Sequence, residues 1–138
     1  MSWLAYALIS AVAASATAIL AKLGVEGVPS TLATAIRTVV VLVFAWAIVF
    51  GLGEHRALPA LSRRSLVFLA LSGVATAISW LAYFRALQMA PASWVAPIDK
   101  LSLAFTVMLA AVWLREPLTW QAWAGVALMV IGALVTRA

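Results

Sequence analysis

Three ionic side chains stand inside stretches of sequence that are otherwise apolar. Arg37 interrupts residues 31–52, and Asp99 and Lys100 stand side by side in SWVAPIDKLSL (93–103), two residues after Pro97. In hydrocarbon each such charge costs about 2.5–3.5 kcal/mol near a helix centre, against about −0.3 to −0.6 kcal/mol for each Leu, Ile, Phe or Val. Asp99 and Lys100 together, at about 5–7 kcal/mol, would cancel most of what their apolar neighbours supply. Such a segment is marginal alone and needs partners. Ionic groups kept inside a membrane pair with one another, hold a substrate or line a polar path.

Composition says what those residues are embedded in. The chain has 138 residues, of which 67% are apolar and only 9% charged, and its mean hydropathy is +1.14. A water-soluble domain is about half apolar and about a quarter charged, so this chain lacks the polar surface to cover a soluble globule. It reads as an all-α integral membrane protein. The net charge of +5 comes from nine scattered basic residues. They read as topology signals, and no nucleic-acid partner is expected. No Cys is present and His55 is the only histidine, so no cofactor and no metal site is expected. No nucleophile–base pair is visible either, so no enzyme is expected.

Charges and turn residues divide the sequence into five apolar runs, about 3–22, 31–52, 65–86, 93–114 and 119–136. Each is near the roughly 20 residues that an α-helix needs to cross about 30 Å of hydrocarbon. GVEGVPS (24–30) ends in Ser30, a candidate cap for the second helix, and GLGEHRALPALSRRS (51–65) is the one long polar loop. Thr119, after REPL, is a candidate cap for the fifth. ASA at 14–16 looks like a signal-peptide cleavage site, but no Lys or Arg precedes the apolar run, so residues 1–21 are expected to be an uncleaved span.

Arg37 and Asp99 each lie about 9 Å into their helices at 1.5 Å per residue, and the two helices start on the same side. An Arg37–Asp99 ion pair is therefore open, as is a substrate role for both. Lys100 lies about 100° around the helix from Asp99 and is expected to look elsewhere, towards a substrate. Pro97 loosens an interior turn if the helix starts at Ser93. If the helix starts at Pro97 instead, residues 91–96 form an irregular segment beside a charge, as in many transporter sites.

Helical spacing places Ser72, Thr76, Ser79 and Tyr83 on one face of the third run, and Asp99, Ser102 and Thr106 on one face of the fourth. Ser30, Thr34, Arg37 and Thr38 cluster on the second, and Ser10 and Thr17 on the first. Membrane Ser and Thr often bond only their own backbone. Four stripes together point instead to a polar cavity among the first four helices. The fifth has no such face, and Gly125 and Gly132 give it a surface suited to close helix contact. Trp80, Tyr83 and Trp94 belong to one half of the membrane and are candidate pocket residues. Trp3, Trp120 and Trp123 read as an interfacial belt. The candidate substrate-binding set is thus Arg37, Asp99, Lys100, Trp80, Tyr83, Trp94, Ser79 and Ser102.

Five spans put the termini on opposite sides. With the N-terminus inside, Arg56, Arg63, Arg64 and Arg115 face Lys22, Arg85 and Arg137. That balance is close to even. The Arg-rich 51–65 loop favours one orientation with that loop in the cytoplasm, and the near-equality leaves insertion both ways open.

The stretch YFRALQMAPASWVAPIDKLSLAFTVMLAAVWLREPLTWQAWAGVALMVIGALV (83–135) resembles the C-terminal part of the EamA-like unit of the drug/metabolite transporter superfamily. The shared features are the ALQMAPAS link, the P-x-D-K helix, the turn containing Glu116, Leu118 and Thr119, and glycines such as Gly125 and Gly132. TAILAKLGVEG (17–27) is similar to the end of the unit's first helix, and the count of five spans the whole chain, 1–138, as one transmembrane domain. Typical members carry two such units as an inverted repeat. One unit resembles the single-unit branches and the small multidrug transporters, which act as antiparallel dimers. The resemblance therefore implies a ten-helix inverted homodimer with alternating access around a central cavity. The membrane-embedded Glu on the first helix of the small multidrug group is missing here.

The expected function is a secondary transporter of the cytoplasmic (inner) membrane. Its partners are the lipid bilayer, a second copy of itself and a small-molecule substrate. Arg37, Asp99 and Lys100 sum to +1 per chain, so the substrate is expected to bear an anionic or amphoteric group. A flippase of lipid-linked substrates, or its accessory subunit, and a non-transporting scaffold are the alternatives.

Overall fold

The computed structural model describes residues 2–136. These residues are helical, with no strand among them. The helices are α1 (Trp3–Gly24), α2 (Ser30–Gly51), a 3-10 helix (Glu54–Ala60), α3 (Arg63–Met89), α4 (Ala92–Asp99), α5 (Leu101–Trp113) and α6 (Trp120–Val135). Arg137, counted above among the outside charges, lies outside the described residues.

Four segments are long and apolar enough to cross a membrane: α1, α2, α3, and α4 with α5 taken together as Ala92–Trp113. This makes the chain a multi-pass membrane protein, and it corrects the expectation of five comparable helices in two ways. The fourth run is divided into two helices at Lys100. The fifth is shorter than expected, 16 residues or about 24 Å, less than the hydrocarbon thickness.

The division at Lys100 follows from Pro97. That residue offers no N–H to the Ser93 carbonyl one turn back, and its ring crowds the same turn. Residues 92–96 are nonetheless helical, so the irregular segment allowed for 91–96 is not formed. The helix starts after Pro91, carries Pro97 inside it, and loses its regular pattern three residues later. The Lys100 N–H bonds the Ala96 carbonyl at 3.2 Å, while the Lys100 carbonyl accepts from Leu103 at 3.0 Å, one residue short of α-helical spacing.

Helix ends follow local chemistry. Thr119 caps α6, its hydroxyl accepting the Ala122 N–H at 3.3 Å. Ser62 caps α3 in the same manner through the Ser65 N–H at 3.0 Å. Ser30 does not cap α2: the N-cap position is Pro29, without a side-chain bond, and the Ser30 carbonyl instead accepts from the Thr34 hydroxyl at 2.8 Å. Proline fixes an extended entry at Pro29 and leaves no cap for the next residue to provide. Gly53, at φ 74°, supplies the left-handed step that turns α2 into the 3-10 helix. That helix occupies the long polar loop, and a row of rings holds it against the end of α2: Trp46 to Phe50 at 5.5 Å, then Phe50 to His55 at 5.2 Å.

The chain forms two compact units. One comprises Met1–Leu20 with Met89–Ala138, the other Ala21–Gln88. In the first, α6 packs on both α4 and α5, and Ala104 and Ala133 are buried. Among the described residues, a Cβ built at Gly125 or Gly132 meets nothing within 4 Å. In the second unit Ala21, Val25, Phe84 and Leu87 are buried. Most large apolar side chains are exposed, for example Trp3 at 80% and Trp113 at 81%. In water this surface would aggregate. Around helices with internally satisfied backbones, it is the surface a bilayer covers.

Candidate functional site

Within residues 21–88, α2 and α3 bring together Arg37, Trp80, Phe84 and Tyr83. The Arg37 guanidinium carbon stands 3.9 Å from the Trp80 ring centroid and 5.5 Å from that of Phe84. Tyr83 meets Phe84 edge to face at 6.4 Å. Arg37 and Trp80 are half-buried and Phe84 is buried. Sequence spacing explains the grouping: Trp80, Tyr83 and Phe84 fall at i, i+3 and i+4, one helical face. A guanidinium over an indole gains about 0.5–2 kcal/mol, depending on how dry the site is. A guanidinium held over a ring through its flat face keeps its in-plane fork of N–H donors for an anion. No carboxylate or carbonyl of residues 21–88 takes those donors.

Within the other unit, Asp99 ends α4 and Lys100 links it to α5. The Lys100 Nζ lies 3.4 Å from Asp99 Oδ2. This corrects the expectation that Lys100 looks away from Asp99. The 100° turn between neighbouring Cα positions is spanned by the four-carbon Lys stem folding back, which the irregular step at Lys100 permits. Trp94 lies on the first turn of α4, 46% exposed, its N–H bonded to the Pro91 carbonyl at 3.0 Å. Ser102, on α5, and Ser79, on α3, are both exposed. Four of the eight expected site residues belong to each unit. Arg37, Trp80 and Tyr83 sit together with Ser79 on α3, and Asp99 and Lys100 sit together with Trp94 and Ser102 on α4 and α5.

The hydroxyl stripes are partly consumed by the backbone. Thr34 bonds Ser30, Thr38 bonds Thr34, Thr76 bonds Ser72 and Thr106 bonds Ser102, each through the carbonyl one turn earlier at 2.8–2.9 Å. Their protons are spent. What each can still offer a solute is an oxygen lone pair.

A further polar cluster had no role in the sequence reading. Gln88, in the last turn of α3, donates from Nε2 to the Val28 carbonyl at 2.6 Å and to the Val25 carbonyl at 3.3 Å. Its Oε1 accepts from Arg85 at 3.3 Å. Lys22 donates to the Leu87 carbonyl, where a cation also meets the negative end of the α3 dipole. These bonds tie the α1–α2 loop to the end of α3, around an open cavity of about 200 Å³ lined by Lys22, Val25, Glu26, Gly27, Leu87 and Gln88. The signal in the sequence was an amide at the end of a long apolar helix, opposite a loop with carbonyls to satisfy. Replacing Gln88 by Leu leaves the Val25 and Val28 carbonyls without this donor. The Val25 carbonyl keeps the Val28 N–H at 3.4 Å, so one carbonyl loses this donor outright. At about 1–3 kcal/mol for an unmet group, a drop of roughly 1–3 kcal/mol in unfolding free energy is expected, read from thermal or denaturant melts in detergent. An unchanged melt would remove the tie from the account.

The sequence matches the EamA-like transporter family over residues 1–138. It is also 46% identical over 134 residues to a Sinorhizobium sp protein named "Uncharacterized transporter in cobO 3'region", covering 97% of this chain and 95% of that one. No solved structure gives a significant match.

Proposed function

The chain belongs to the EamA-like transporter family, and from that premise we propose that it is a secondary transporter of the cytoplasmic membrane, moving a small metabolite with an anionic or amphoteric group by alternating access. The observation that carries the anionic reading is Arg37: a guanidinium set inside α2, 3.9 Å from the centroid of the Trp80 ring, with no carboxylate of residues 21–88 paired to it. A structural ion pair would spend that fork on a carboxylate. An aromatic bed holds the cation in place and keeps the fork for a visitor.

The functional form is a homodimer of oppositely inserted copies. Support comes from the apolar surface that one copy leaves unpacked. Fusing the C-terminus to reporters active on opposite sides of the membrane checks this, with signal expected from both. Signal from one side alone would rule out inverted copies.

The substrate class is tested on the purified protein by its melting temperature in the presence of succinate, alanine or tetraphenylphosphonium. Succinate or alanine is expected to raise it, because a ligand at about a hundred times its Kd adds about 2.7 kcal/mol. Stabilisation by the phosphonium cation alone would overturn the anionic reading.

A further inference from the structure

Of the four carboxylates, three stand outside the apolar spans: Glu26 follows α1, Glu54 opens the 3-10 helix and Glu116 follows α5. Asp99 is the one carboxylate inside a span. The elements packed on α4 are α5 and α6, and neither carries a titratable side chain. The α1 residues of the same unit, 3–20, contain only Tyr6. Among the described residues of this unit, the ionic group facing Asp99 is Lys100, at 3.4 Å. Neither partner is locked in a core: the Lys100 side chain is 55% exposed and that of Asp99 33%. No packed core of this unit covers the ammonium, so an anion that enters this layer meets it without dismantling packed structure.

We propose that Asp99 carries a proton across the membrane with each substrate anion, and that Lys100 is the cation for which carboxylate and substrate compete. The proposal rests on the carrier reading above and supplies its coupling ion. In the empty site, Asp99 and Lys100 form a neutral pair. An anion takes the ammonium, which leaves the Asp99 carboxylate beside a second negative charge in a layer that solvates neither well. A proton from adjoining water then bonds to an Asp99 oxygen. The loaded group consists of an ammonium, an anion and a neutral carboxylic acid, so its charge is again zero. On the far side the anion leaves, the carboxyl returns its proton to water, and Asp99 pairs with Lys100 again. The only bond made and broken is O–H, and no oxidant or reductant takes part.

Methanesulfonate is the probe, because it stays ionised and any proton taken up cannot be its own. Added to the protein in lipid nanodiscs, in weak buffer with a pH-sensitive dye, it is expected to drive proton uptake. A carboxylic-acid C=O band should appear in the infrared difference spectrum. Asp99→Asn is expected to abolish both signals, Asp99→Glu to keep them, and Lys100→Met to lose them together with probe binding at this position. The Glu variant separates loss of the acid from loss of fold. No uptake on adding the probe, or uptake undiminished in Asp99→Asn, overturns the proposal. Labelled methanesulfonate crossing sealed vesicles without proton uptake also overturns it and leaves the carrier reading standing. Asp99-dependent uptake with no crossing overturns the carrier reading and leaves proton–anion linkage at Asp99 in place.

Discussion

Arg37→Gln is expected to weaken binding of succinate or alanine by about a hundredfold, while the protein still folds. The magnitude follows from the chemistry removed: hydrogen bonds to a charged group are worth about 1.5–3 kcal/mol, and 1.4 kcal/mol is a factor of ten. Gln keeps the aliphatic stem and offers a neutral amide, but it is shorter and lacks the charge and the five-donor fork. Arg37→Lys keeps the charge and is still expected to bind poorly, since an ammonium on a flexible stem neither lies flat on Trp80 nor presents two parallel donors. Trp80→Leu tests the bed itself. Losing a cation–π contact of about 0.5–2 kcal/mol should cost roughly 2- to 30-fold in affinity with Arg37 untouched. Titrating the ligand-induced melting shift for the three variants checks the order. Wild-type affinity in Arg37→Gln would mean that the guanidinium serves only to hold α2 against α3.

The second large effect is expected at the Asp99–Lys100 pair, and it is one of sign. A pair 3.4 Å apart within a span should show coupling of about 1–3 kcal/mol in a double-mutant cycle of unfolding free energies. Asp99→Ala leaves an ammonium in the span without its acid, and Lys100→Met leaves a carboxylate without its cation. Each single variant is therefore less stable than independent contributions predict. The double variant removes both charges, and with them about 5–7 kcal/mol of insertion cost. It is expected to be at least as stable as the natural chain, as when buried ion pairs give way to apolar residues, yet unable to bind anion at this position. A protein that melts higher and transports nothing would show that the pair is kept for function against stability. An additive cycle would mean that the two side chains act independently.

Several features of this protein were legible from residue order alone. Membrane insertion depends on hydropathy summed along one helix, and that sum is a property of the local sequence. The apolar runs therefore marked α1, α2 and α3 to within a few residues, and the same sum singled out Arg37, Asp99 and Lys100 as groups held at a cost. Thr119 was legible too, because a cap bonds an amide three residues away. Pairings across distance were not. Depth along the helix left Arg37 open to a carboxylate or a substrate and did not reveal the ring of Trp80 3.9 Å away, since helix rotation decides which side chain faces which. Lys100 was assigned by backbone angle alone, although a long flexible stem covers more arc than that angle. The ties from Gln88 to Val25 and Val28 join residues some sixty positions apart. Bonds of that kind exist only once the α1–α2 loop and the end of α3 have been brought to the same place. Residue order determined where the chain crosses the membrane and which charges it carries there, and tertiary structure alone decided what those charges touch.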